Sequence, residues 1–242
     1  MLTETIARWQ QEALQVRPPK GNGHLPALGG LPGPAFFPEG LGLSEPIHRE
    51  NDTPTIVAIG HNFGCEAYRT EIDPAGREDD KATWRNLDSL LLGAGLEPVI
   101  CYRTNWFIGL LPGNTQTGVF LHGSDPNYER VCLSLLSKQL EFFQPSAILL
   151  LGFDVVRRAY QLAPALDPWR NSKNWKQVDC SSIGHSPRNV HIPEAKLKTN
   201  IVALLHPSFA PANQGRRMKN MPVPMSQSEM IRAAACLGPL AH

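Results

Sequence analysis

From residue 55 onward, apolar and polar positions fall into blocks that separate strands from helices. Residues 55–60 (T-I-V-A-I-G), 98–104 (P-V-I-C-Y-R-T), 147–152 (A-I-L-L-L-G) and 200–205 (N-I-V-A-L-L) are short, predominantly apolar runs. That is the pattern of strands buried on both faces. Helical periodicity marks 82–92, 126–143 and 154–162, and a last helix is expected at about 226–237. Residues 61–80, 105–125 and 164–198 are polar or broken by Pro, Gly and Asn, and read as connections. Four apolar strands alternating with helices predict an α/β fold: a single central four-stranded parallel sheet with helices on both faces.

Ahead of this pattern, residues 2–15 read as an amphipathic helix with Leu2, Ile6, Trp9 and Leu14 as its apolar stripe. Residues 17–54 then carry eight prolines and seven glycines, which favour an extended arm over regular elements. The expected division is 1–53, a helix plus arm wrapping the core, and 54–242, the α/β domain.

At 242 residues, 42% hydrophobic and 19% charged, the composition is that of a globular chain. No apolar run reaches membrane-spanning length. The polar start, 1–15, lacks a leader pattern, so a soluble cytoplasmic protein is expected. Five cysteines stand far apart with no C-x-x-C pair, which disfavours a zinc or iron–sulfur site, and no H-E-x-x-H or G-x-x-x-x-G-K motif occurs. The net charge of +1 is unevenly spread. Residues 1–121 hold 9 basic against 14 acidic side chains, whereas 122–242 hold 14 against 8, and 170–232 hold 10 against 3. A basic half suits a polyanionic partner such as nucleic acid.

Sites in parallel α/β sheets lie outside the carboxyl ends of the strands. Those ends read G-H-N-F-G (60–64), T-N-W (104–106), G-F-D (152–154) and H-P-S-F (206–209). Two asparagines and a histidine therefore converge: amides that orient water or read a base edge, and an imidazole that donates to developing negative charge. A Cys65–His206 hydrolase is the weaker catalytic alternative, with Asp154 as its orienting carboxylate.

These motifs resemble the uracil-DNA glycosylase superfamily over roughly residues 54–217. G-H-N-F-G is similar to the G-x-N-P-G of the mismatch-specific and single-strand-selective monofunctional branches. H-P-S-F-A-P-A-N-Q-G (206–215) resembles the H-P-S-x-x-P-x-x-N-x-G of the latter, with spacing shifted by one residue. The resemblance implies a base-flipping enzyme that hydrolyses an N-glycosidic bond, leaves an abasic site and needs no cofactor. Asn62 matches the residue that positions water, His206 the donor to the departing base, and Asn105 the reader of its Watson–Crick edge. Gly60 and Gly64 would admit the nucleotide, with Phe63, Trp84 or Tyr68 as stacking platform. Ser208 would hold a phosphate. Phe209 would wedge into the duplex, while Asn213, Arg216, Arg217 and Lys219 would contact DNA. Phe63 in place of proline, the glycine-rich loop 106–118 and the arm depart from the uracil-specific pattern. They widen the expected substrate from uracil to modified cytosines, in repair or in defence against phage. A monomer is expected, and the alternative is a catalytically silent DNA-binding module on the same fold.

Overall fold

The computed structural model describes residues 8, 9, 11, 12, 55–62, 64, 65, 67, 82–109, 111, 114 and 124–235. The expected arm at 17–54 lies outside them, as do Phe63 and Tyr68. Of the expected first helix, the described residues 8, 9, 11 and 12 are helical. Trp9 is buried there, edge-on to Phe142 and Phe143 with ring centroids 5.3 and 5.8 Å away, and Glu12 meets Lys138 at 2.7 Å.

In chain order the main elements are β1 (Ile56–Gly60), α1 (Ala82–Gly93), β2 (Cys101–Asn105), α2 (Pro126–Phe143), β3 (Ala147–Leu151), α3 (Phe153–Arg158), α4 (Trp175–Asp179), β4 (Val190–Ile192), β5 (Leu197–Leu204), α5 (Ala210–Met218) and α6 (Gln227–Ala234). The fold is α/β, but the sheet has five strands, in the order β2-β1-β3-β5-β4, and is mixed. The expected four form its parallel part; β4 adds an antiparallel edge on β5, pairing Val190 with Thr199 and Ile192 with Leu197. Three residues, V-H-I, are too short a run to announce a strand among the polar residues of 164–198. The other differences are local. Pro98–Ile100 is a 3-10 turn before β2, because Pro98 lacks the N–H that a ladder needs. Residues 210–218, for which the sequence pattern predicts no element, form α5.

Every residue of β3 is buried, so the centre of the sheet is covered on both faces. Asp125 caps α2 by accepting from the N–H groups of Asn127 (2.8 Å) and Tyr128 (3.1 Å), and Gln144 closes that helix in the left-handed region. Ser226 and Glu229 form a reciprocal capping box on α6. Arg232 of α6 in turn donates to the carbonyls of Gly93 (2.8 Å) and Ala94 (3.1 Å), closing the end of α1.

α5 is held by a buried ion pair. Arg217 donates through Nη2 to Asp179 Oδ1 (2.7 Å) and through Nε to Oδ2 (3.1 Å), and its guanidinium lies 4.1 Å from the Trp175 ring centroid. Removing one partner leaves the other charge buried and unpaired, a loss of about 3–5 kcal/mol. Asp179→Ala is therefore expected to lower unfolding stability by that order in a denaturant titration. A change under about 1 kcal/mol would mean that the pair behaves as a solvated one.

Candidate active site

The strand order places the switch point between β1 and β3: the chain leaves β1 toward β2 on one side and enters β3 on the other. Ligands of open α/β sheets lie at such a point, at the carboxyl ends. His61 and Asn62 follow β1 there, Asn105 ends β2, Gly152–Asp154 follow β3, and His206 follows β5.

Asn62 is held at both ends of its amide. Nδ2 donates to the Gly64 carbonyl (2.9 Å), and Oδ1 lies 3.1 Å from His61 Nδ1. Gly64 has φ +89°, the left-handed backbone that turns its carbonyl back toward Asn62, and the Leu111 N–H reaches the same oxygen at 2.7 Å. Asn105 is half-buried beside Gly60, its register partner. A Cβ on Gly60 would stand 2.4 Å from Asn105 Oδ1, so this glycine makes room for the amide. The Asn105 amide makes no hydrogen bond among the described residues, which leaves it able to read one.

His206 is set by a turn in which its carbonyl accepts from Phe209 N (2.9 Å) and Ala210 N (3.1 Å). The Ser208 N–H points at His206 Nδ1 from 3.4 Å, so Nδ1 offers its lone pair and the proton of the neutral ring sits on Nε2. Burial, and then the neighbouring His61, push His206 down to about 4. The ring is a neutral donor at physiological pH. Burial also lowers His61 below its ordinary value, with Asp154 the largest opposing influence. Further back, Glu129 accepts at one oxygen from Trp106 Nε1 (2.9 Å), Arg158 Nη1 (2.7 Å) and Gln161 Nε2 (2.8 Å). Arg158 lies 4.9 Å from the Phe107 ring centroid, and His61 meets Phe107 edge-on at 5.3 Å.

α1 reaches across to the loop after β5. Asn86 Nδ2 donates to the Pro207 carbonyl (2.9 Å), and the Thr83 and Ser208 hydroxyls stand 2.6 Å apart. The Ser208 hydroxyl, expected on a phosphate, thus already has a protein partner, although the residue is exposed. Trp84 takes the core place: it is buried, with Arg103 5.4 Å from its ring centroid, and is not an open stacking face. Phe209 is 53% exposed, with its ring 6.0 Å from that of His206. Asn213 donates to the Phe209 carbonyl (3.0 Å) and steadies the start of α5. Arg216 and Lys219 are exposed, while Arg217 is only 5% exposed and bound to Asp179, so the expected Arg217–DNA contact is corrected to a structural one. Cys65 is fully buried, out of reach as a nucleophile. No group of three metal-ligating side chains occurs among the described residues, and no described helix is long and apolar enough to cross a membrane.

Sequence reasoning gave no role to His61, Thr83, Asn86 or Glu129. The first stands inside the G-H-N-F-G motif, and the next two lie within two residues of Trp84, whose side chain carries the stronger local signal. Glu129 carried no local signal, because its three partners are 23 to 32 residues away. No protein-family model matches the chain, and no curated protein matches it.

Two outcomes test this geometry. Gly60→Ala is expected to cost about 0.5–1.5 kcal/mol, because the Asn105 amide must turn off its rotamer to admit the methyl. In an Asn105→Ala background the same change should cost far less, a coupling that a double-mutant cycle by chemical denaturation reads directly. The imidazole of His206 is expected to titrate near pH 4 by NMR. Between its ordinary value of 6.5 and about 4, the unfolded chain takes up a proton that the folded ring refuses, so this group makes stability fall as pH falls through that window. A midpoint near 6.5 would show a solvated ring.

Proposed function

We propose that the chain is a monofunctional DNA glycosylase of the uracil-DNA glycosylase type. On this reading it flips a uracil or modified cytosine out of DNA, hydrolyses its N-glycosidic bond and leaves an abasic site. The observation that carries the reading is that a neutral Nε2–H donor and two amides stand at carboxyl ends of the same sheet, one of the amides making no hydrogen bond among the described residues. Asn105 then reads the edge of the flipped base. His206 donates through Nε2–H to the oxygen on which the departing base collects negative charge. Asn62 accepts from the attacking water; as an amide it orients that water and cannot deprotonate it. Phe209 fills the vacated stack, and Arg216 and Lys219 supply phosphate contacts. In a cell the product abasic site feeds base-excision repair, or disables phage DNA that carries altered bases.

The test is an abasic-site assay by alkaline cleavage. Its substrates are uracil in single strands and mismatches, hydroxymethylated and glucosylated cytosines, and phage genomic DNA. His206→Ala is expected to lower cleavage by about 10²–10³, the cost of a lost oxyanion-type donor. Asn62→Ala is expected to lower base release while sparing DNA binding. Undiminished turnover without the His206 ring removes that assignment. No abasic sites on any substrate, with DNA still bound, would favour a silent binding module.

A further inference from the structure

The Asn62 amide has no rotational freedom to lose, and one neighbour accounts for half of that restraint. With Nδ2 committed to the Gly64 carbonyl at 2.9 Å, Oδ1 is the atom that faces His61 Nδ1 at 3.1 Å. An amide oxygen only accepts, so Nδ1 must carry a proton and donate. The His61 ring is itself fixed: it stands edge-on to Phe107 at an interplanar angle of 89°, and Phe107 is fully buried and lies parallel to Tyr128 at 6.2 Å. A chain of contacts thus runs from α2 through Phe107 to His61 and ends on Asn62. We propose that His61 is a positioning residue, whose Nδ1–H holds the Asn62 carboxamide so that the second lone pair of Oδ1 is presented to the crevice. A free asparagine side chain would exchange its oxygen and nitrogen by rotation, and half of those orientations would offer a donor where an acceptor is needed. The inference rests on the glycosylase reading for its catalytic consequence, but not for the geometry itself.

Three variants separate the donor from the ring. Asparagine places its Nδ2 where histidine has Nδ1, so His61→Asn keeps the donor and loses the ring. His61→Phe keeps the ring against Phe107 and loses the donor. His61→Gln carries its amide one atom further out, to the place of Nε2. The readouts are single-turnover base release on whichever substrate the wild type cleaves, DNA affinity, and the side-chain amide resonances of Asn62. His61→Phe and His61→Gln should lower base release by about 10- to 100-fold with unchanged DNA affinity, the scale of a misplaced reacting group. Both should shift the Asn62 resonances, and His61→Asn should restore most of the rate and the resonances together. Any result in which His61→Phe equals or exceeds His61→Asn overturns the proposal, because the ring and not the donor would then matter. Should the wild type release no base at all, the glycosylase reading fails by itself. The resonances still decide whether His61 holds Asn62.

Discussion

The candidate site depends on the way β1 is locked between two parallel neighbours. Ile56 to Gly60 pair with Cys101 to Asn105 on one side, and Ile56 to Ile59 with Ala147 to Leu150 on the other. The ladder does not stop at the sheet edge. Trp106 N donates to the Gly60 carbonyl (2.8 Å), Phe107 N to that of His61 (2.9 Å) and Leu111 N to that of Gly64 (2.7 Å). The exits of β1 and β2 therefore travel together into the crevice, and Asn62 and Asn105 are fixed relative to each other by backbone bonds. His206 joins through β3, where the Gly152 N–H meets the Leu204 carbonyl at 2.9 Å. A one-residue slip of β1 would exchange the side chains packed on its two buried faces and carry the residues after it about 3.3 Å out of line with Asn105, so core packing and site geometry are set by the same register.

The strands that could be read from the sequence are those whose burial is two-sided. A-I-L-L-L and I-V-A-I-G have no polar residue to compete with a strand assignment, and the structure places them at the sheet centre. What escaped notice depends on tertiary partners. The edge strand β4 exists because β5 is long enough to pair with it, and Asn200 secures the bend beside it by accepting from Asn189 N (3.1 Å) while donating to Ala234 O (2.6 Å). Helix α5 contains a proline in its first turn and a glycine within it, a poor local pattern for a helix. It is stabilised from outside, by Asp179 gripping Arg217.

The candidate site was legible in its strand ends and illegible in its supports. Residue type and position at a carboxyl end pointed to Asn62, Asn105 and His206, and the fold brings the three to the same edge. Charge was a poorer guide: Arg216 and Arg217 are adjacent in sequence, but a helix sends neighbours about 100° apart, one to solvent and one into the core. The same geometry explains Trp84, which faces inward on α1 while Thr83 and Asn86 face the His206 loop.

The electrostatic character of the crevice follows from this division. Among the described residues, Arg217 and Arg158 are neutralised by Asp179 and Glu129, and His61 and His206 are both held below their ordinary value by burial. A cationic imidazolium at His206 would attract any anion, phosphate included, and would stabilise a bound ground state as readily as a transition state. A neutral Nε2–H interacts weakly with a neutral base and strongly with one that has become an anion. Under the proposed chemistry the donor therefore acts most where the bond is breaking, which is the condition for raising turnover and not merely affinity. Burial that costs the protein stability at mildly acid pH is what keeps that donor neutral, so the loss of stability and the selectivity for developing charge have one physical origin.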